Sequence, residues 1–234
     1  MSTSSTQWLT TRLAITRKAR GPFPARATSL ETQPAYRASA SDPNAAKYVY
    51  VVPDLPLDGK GPWTILAMFK GEDGLEASRV GAMVGGTTAI PGPGDPAPRI
   101  HTPTAAEVGG DLAKIDTRKP PDQMHQVDFA EVLGKQPVVL VFATPAFCQS
   151  RVCGPVVDVA QQIADEYKGK ATFIHQEVYV ENKPPKINPQ LRAFGLETEP
   201  WIFLIDRHGI VRDRIEGAVG VSELEDAMRT ITSN

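Results

Sequence analysis

From residue 126 onward, continuous apolar runs alternate with stretches whose apolar positions recur every three or four residues. Val138-Val-Leu-Val-Phe142 is an unbroken apolar run, the pattern of a strand buried on both faces. Val156, Val159, Ala160, Ile163, Ala164 and Tyr167 share one helical face, and Pro155 suits a first helical position, so a helix is predicted over 155–167. A strand is predicted over 172–180. Asn188-Pro189 then opens a short helix that Gly195 closes. Trp201-Ile-Phe-Leu-Ile205 and residues 210–215 read as strands joined by the turn Asp206-Arg-His-Gly209. Asp128 caps a short helix over 129–133 that ends at Gly134, and Ser222 with Glu225 forms a capping box for a last helix. The order is β-α-β-α-β-β-α, an α/β domain in which the first three strands need crossovers and the last two pair directly.

The first half has another rhythm. Lys47-Tyr-Val-Tyr-Val-Val52, Trp63-Thr-Ile-Leu-Ala-Met-Phe69 and Ser78-Arg-Val-Gly-Ala-Met-Val84 are short β-type runs. Turn signals such as Asp58-Gly59 and Gly71-Glu-Asp-Gly74 separate them. They predict an antiparallel meander, a small all-β module of immunoglobulin-like sandwich type over 46–85, with Tyr48, Tyr50 and Trp63 in its core. Arg12-Leu-Ala-Ile-Thr16 alternates and reads as a further strand, so 8–18 is a candidate addition to the module; the rest of 1–45 is polar, broken at Gly21-Pro-Phe-Pro24 and poorly ordered or partly β. Residues 86–121, with Pro91-Gly-Pro-Gly-Asp-Pro-Ala-Pro98, read as a stiff linker leading into an α/β domain over 122–234.

Of 234 residues, 21 are proline and 19 glycine, crowded into the first half, which fits loops and short strands there. The formal net charge of −2 gives no global basic field, so nucleic acid is not an expected partner. No window has about twenty consecutive apolar residues, so no membrane span is expected. The N-terminus carries Arg12, Arg17, Lys18 and Arg20, and no acid precedes Glu31. Its apolar stretch is interrupted, unlike a secretory signal peptide. It reads as a frayed arm, with a transit peptide as the alternative.

The chain has two cysteines, Cys148 and Cys153, between the first strand of the α/β domain and its helix. Closing so short a loop stabilises a fold by only about 2 kcal/mol, so a structural staple explains them weakly. This arrangement resembles the thioredoxin superfamily, in its TlpA/peroxiredoxin-like branch. The residues that carry the resemblance are Val138–Ala143, the segment Phe147-Cys-Gln-Ser-Arg-Val-Cys-Gly-Pro155, Glu199-Pro200 before the following strand, and the lead-in Gly94-Asp-Pro-Ala-Pro98. The resemblance implies a thiol–disulfide oxidoreductase with no cofactor, acting on protein or small-molecule thiols and disulfides. Cys148 is then the attacking thiol and Cys153 the resolving one. A helix N-terminus presents free N–H groups and a partial positive charge, which favour a thiolate nucleophile. Pro200 matches the family's cis-proline opposite the cysteines. It shapes a substrate edge together with Glu199, Trp201 and Phe147. Arg151 is expected to lower a thiolate pKa and Glu199 to oppose it.

The motif departs from the usual one in holding four residues between the cysteines. In a continuous helix positions five apart have Cα atoms about 8 Å apart, beyond disulfide reach. A bond therefore requires the segment to be a loop. The same spacing occurs in one peroxiredoxin branch, where a hydroxyl residue stands three before the first cysteine; here Pro145 holds that place and Thr144 lies one earlier. A third reading is a Sco-like copper carrier using Cys148, Cys153 and His175, since two thiolates and an imidazole suit Cu(I). A lone histidine on a strand is more often packed or solvated, and His101, His125 and His208 read as solvated. The remaining alternative is a non-catalytic binding module of an envelope or surface assembly, its cysteines inert. The resemblance and the β-module favour an oxidising, extracytoplasmic location.

Overall fold

The computed structural model describes residues 19–53, 55–71, 74–86 and 88–233. The strand expected at Arg12–Thr16 lies outside them. In chain order the elements are β1 (Arg26–Ser29), β2 (Tyr48–Val51), β3 (Gly61–Gly71), β4 (Gly74–Val84), α1 (Phe129–Val132), β5 (Val138–Ala143), α2 (Cys153–Glu166), β6 (Thr172–Glu177), α3 (Pro189–Ala193), β7 (Trp201–Ile205), β8 (Val211–Glu216) and α4 (Val221–Thr232).

Strands β5 to β8 form a four-stranded sheet in the order β6-β5-β7-β8. β5 pairs parallel with β6 and antiparallel with β7, and β7 pairs antiparallel with β8. This is the crossover-then-hairpin order that the sequence predicts. All six residues of β5 are fully buried because helices cover both faces. Val139, Val141 and Ala143 meet Val156, Val159, Ala160 and Ile163 of α2 and Leu224, Met228 and Ile231 of α4. On the other face Val138, Leu140 and Phe142 meet Phe129, Leu191 and Phe194.

Helix ends follow local chemistry, with two shifts. The Asp128 carboxylate accepts the Ala130 N–H over 3.0 Å and caps α1, and Asn188 and Pro189 start α3. The second helix begins at Cys153 rather than Pro155, because Val152 already has helical dihedrals and takes the N-cap place. The last helix begins at Val221 after Gly220, so Ser222 lies inside it and makes no cap.

The first half differs more. Among the described residues no three-stranded meander or sandwich forms. β2 pairs with β1, in register from Arg26↔Val51 to Ser29↔Tyr48, while β3 and β4 satisfy each other as an isolated hairpin. Tyr48 and Tyr50 are consequently 57% and 78% exposed rather than core. Trp63 is half-buried and donates its indole N–H to the Gly59 carbonyl. The chain between β1 and β2 packs on α2. The Gln33 N–H donates to Gln162 Oε1 over 2.8 Å, and Ser39 donates to the buried Asp158 carboxylate. Arg118 joins them by donating to Asp158 over 2.9 Å and to the Tyr36 carbonyl over 2.9 Å.

The segment read as a linker is seated on the α/β domain. Pro96 bridges Ile210, the Gly94 N–H donates to the Val211 carbonyl, and Ala97 and Ile100 are buried in the core. Proline removes donors from this edge but leaves its apolar rings and carbonyls free to pack.

Candidate functional site

The strand β5 ends at Ala143, and residues 144–152 form a loop of turns before α2. Arg151 has φ of +63°, which turns the chain sharply enough to bring Cys148 back over the helix start. Two outside contacts hold the loop. The Ala146 N–H donates to Thr117 Oγ1 over 3.0 Å, and the Ala46 N–H donates to the Arg151 carbonyl over 2.9 Å.

Both thiols are free; Cys148 is half-buried and Cys153 fully buried. The Cys153 backbone N–H donates to Cys148 Sγ over 3.3 Å, and Cys148 Sγ lies 3.1 Å from Ser150 Oγ. These contacts gather donors on one sulfur, so the Cys148 pKa falls to about 5. The thiol of Cys153 is the leading cause, burial opposes it, and Ser150 and the N–H groups of Cys153 and Val152 add to it. Hydrogen bonding leads, rather than the Arg151 charge expected from the sequence; Arg151 shapes the loop through its backbone. Cys153 moves the other way, pushed up by its bond to Cys148, by burial and by the Cys148 charge.

Glu199 completes the cluster: its carboxylate and both sulfurs lie within 4.8 Å of one another. It is half-buried, precedes Pro200 across a cis peptide bond, and is pushed up by burial and then by the Cys148 charge. Pro200 is buried, and its carbonyl accepts the Gly217 N–H over 2.8 Å.

Of the other predicted residues, Phe147 is 39% exposed at the rim, its ring edge-on to Tyr179 at 5.9 Å. Tyr179 was not singled out by the sequence. Burial raises its pKa, and so do the charges of Glu199, Cys148 and Cys153, which places its ring beside the site. An aromatic just past a buried strand gives no local signal of that role. Trp201 is core: it is 4% exposed, stacks on Phe203 at 5.9 Å, and donates its indole N–H to Thr198 Oγ1. Thr144 is fully buried beneath the loop.

His175 does not join the cysteines. Its ring is buried on β6, with Nδ1 2.7 Å from Asp122 Oδ2 and Nε2 3.1 Å from the Ala143 carbonyl. The copper set Cys148, Cys153 and His175 is therefore not assembled; the third donor near the sulfurs is Glu199. His125, read as solvated, is 1% exposed in the same cluster as His175.

No protein-family model matches the sequence, and no curated protein matches it. Among solved structures, the chain is similar to a thiol:disulfide interchange protein of the thioredoxin family from Chlorobium tepidum TLS. The identity is 17% and the TM-score 0.42, over 60% of this chain and 97% of that one. It is also similar to a thio-disulfide isomerase from Thermus thermophilus, at 21% identity and a TM-score of 0.39, over 58% of this chain and 94% of that one. No described helix is long and apolar enough to cross a membrane.

Proposed function

We propose that the protein is a thiol–disulfide oxidoreductase acting through Cys148 and Cys153. The observation that carries this reading is the asymmetry of the pair. One sulfur is half-exposed, accepts an amide N–H at a helix start and has a pKa of about 5; the other is buried beside it and stays protonated. An inert pair of buried thiols has no reason to differ in this way.

In the reductive direction the Cys148 thiolate attacks one sulfur of a substrate disulfide. The substrate S–S bond breaks, a mixed disulfide forms, and one substrate thiolate leaves. Cys153 then loses its proton and attacks the Cys148 sulfur. The mixed disulfide breaks, the second substrate thiolate leaves, and the Cys148–Cys153 disulfide forms. The substrate has gained two electrons and the cysteine pair has lost them. Glu199, whose carboxylate lies within 4.8 Å of the Cys153 sulfur, is the base that takes its proton. Pro200 and Phe147 border the approach to Cys148, and a protein or small-molecule disulfide is the substrate class.

The test is turnover of a disulfide substrate by purified protein. Cys148→Ser is expected to abolish it, and Cys153→Ser to stop at a trapped mixed disulfide. Full activity in Cys148→Ser removes the reading and leaves a binding module.

A further inference from the structure

A second chemical cluster lies on the α2 face of the sheet. Asp116, Asp122, His125 and His175 each bring one carboxylate oxygen or ring nitrogen to within 4.8 Å of the others. All are at most 2% exposed. We propose that these side chains form a structural site for a divalent transition-metal ion of the zinc class.

The hydrogen-bond pattern leaves lone pairs pointing at one place. His125 Nε2 is buried and makes no hydrogen bond among the described residues, yet it faces Asp122 Oδ1 at 3.4 Å and Asp116 Oδ2 at 3.5 Å. His175 Nε2 sits 3.1 Å from the Ala143 carbonyl oxygen, which only accepts, so Nε2 carries a proton and donates it. Nδ1, 2.7 Å from Asp122 Oδ2, then faces another pure acceptor. A proton fills that gap in the metal-free protein, and a metal ion bound there displaces it.

The surrounding bonds are those that orient metal ligands. The ligand histidine donates its second N–H to a carbonyl, the usual outer-shell arrangement. Asp116 accepts N–H groups from Arg118 over 2.7 Å and Asp122 over 2.6 Å, and Asp122 accepts from Met124 over 2.8 Å. Two carboxylates and two neutral imidazoles balance a 2+ ion where water is excluded, and this donor set suits Zn2+, Co2+ or Mn2+ rather than Cu(I). Four protein donors close a tetrahedral set, which is the mark of a structural rather than a catalytic site.

The ion would fasten residues 116–125 to β6, where the His175 N–H already donates to the Met124 carbonyl over 3.0 Å. Thr117 in that segment accepts the Ala146 N–H of the cysteine loop. The site thus braces the loop from below, and it does not depend on whether the cysteines exchange disulfides.

The experiment must separate this site from the Cys148, Cys153 and Glu199 donors. Full-length Cys148→Ala/Cys153→Ala protein and wild type are refolded with Co2+ and desalted, and bound metal is counted by mass spectrometry. Both are expected to retain one equivalent, with ligand-field bands and no thiolate-to-cobalt charge-transfer band. His125→Gln loses no hydrogen bond at Nε2 and should fold, judged by circular dichroism, while retaining under one tenth of an equivalent. Folded wild type that retains no metal, retention only through thiolate ligation, or a full equivalent in His125→Gln each overturns the proposal; the four residues are then a proton-bridged network.

Discussion

The backbone N–H of Cys153 donates to the sulfur of Cys148 across 3.3 Å, so the start of α2 stabilises charge on the very atom that solvent reaches first. With the Ser150 hydroxyl also 3.1 Å away, that sulfur holds its negative charge well below neutral pH. Alkylation of reduced protein by iodoacetamide should therefore rise through about pH 5 and stay level at neutral pH. An ordinary cysteine would rise through about pH 9. Ser150→Ala should raise the midpoint by about one unit, the worth of one hydrogen bond. It should also shift the reduction potential to more negative values by about 30 mV, because the reduced form loses stabilisation. A midpoint of 8 or above in wild type would contradict the hydrogen-bond account.

The same shifts link pH to stability. Cys148 has a folded pKa of about 5 against an ordinary value of 9.0, so the unfolded chain binds more protons between those limits. Its contribution is complete above pH 9.0 and is lost as pH falls through about 5. Cys153 is shifted upward, so its contribution is complete below its ordinary value of 9.0 and is lost at more alkaline pH. Urea unfolding of reduced wild type and Cys148→Ser should diverge as pH rises from 5 to 9, wild type gaining. Parallel curves over that window would show that the thiolate is not stabilised by folding.

Glu199 stands within 4.8 Å of both sulfurs and is itself pushed up by burial and by the Cys148 charge. It suits the transfer of a proton from Cys153 to solvent. In Glu199→Gln the first attack should persist, while resolution slows by about a hundredfold, the low end of general-base effects. Quenched reactions read by mass spectrometry should then show the Cys148 mixed disulfide accumulating. Unchanged resolution would reduce Glu199 to part of the substrate edge.

Asp158 on α2 is 1% exposed and accepts from Arg118 and from Ser39, tying the segments before and after the hairpin to one helix. Asp158→Ala strands a buried guanidinium and should destabilise the protein by about 3–5 kcal/mol in chemical unfolding. Arg118→Leu/Asp158→Leu should lose less, because no unpaired charge remains. A single-variant loss below about 1 kcal/mol would mean that water reaches the pair.

The sequence by itself determined the elements whose causes are local. The run from Val138 to Phe142, the Asp128 cap, the Pro189 helix start, and the apolar face through Val156 and Ile163 need only neighbours within a few residues. They set the β-α-β-α-β-β-α order and placed the cysteines between β5 and the following helix, although that helix takes in Cys153 as its first residue. The tertiary structure decided what depends on distant partners. Tyr48 to Val51 alternates equally well for any partner, and only packing of residues 30–46 on α2 brings β1 rather than β3 to it. Arg151 takes a left-handed turn because the loop is tied at both Thr117 and Ala46. His125 and His175 stand 50 residues apart in sequence, and only folding of 116–125 against β6 makes them neighbours, with ring centroids 5.2 Å apart. Periodicity reports which face of an element is apolar; it carries no information on which distant polar group will meet that element, and that meeting shapes both clusters.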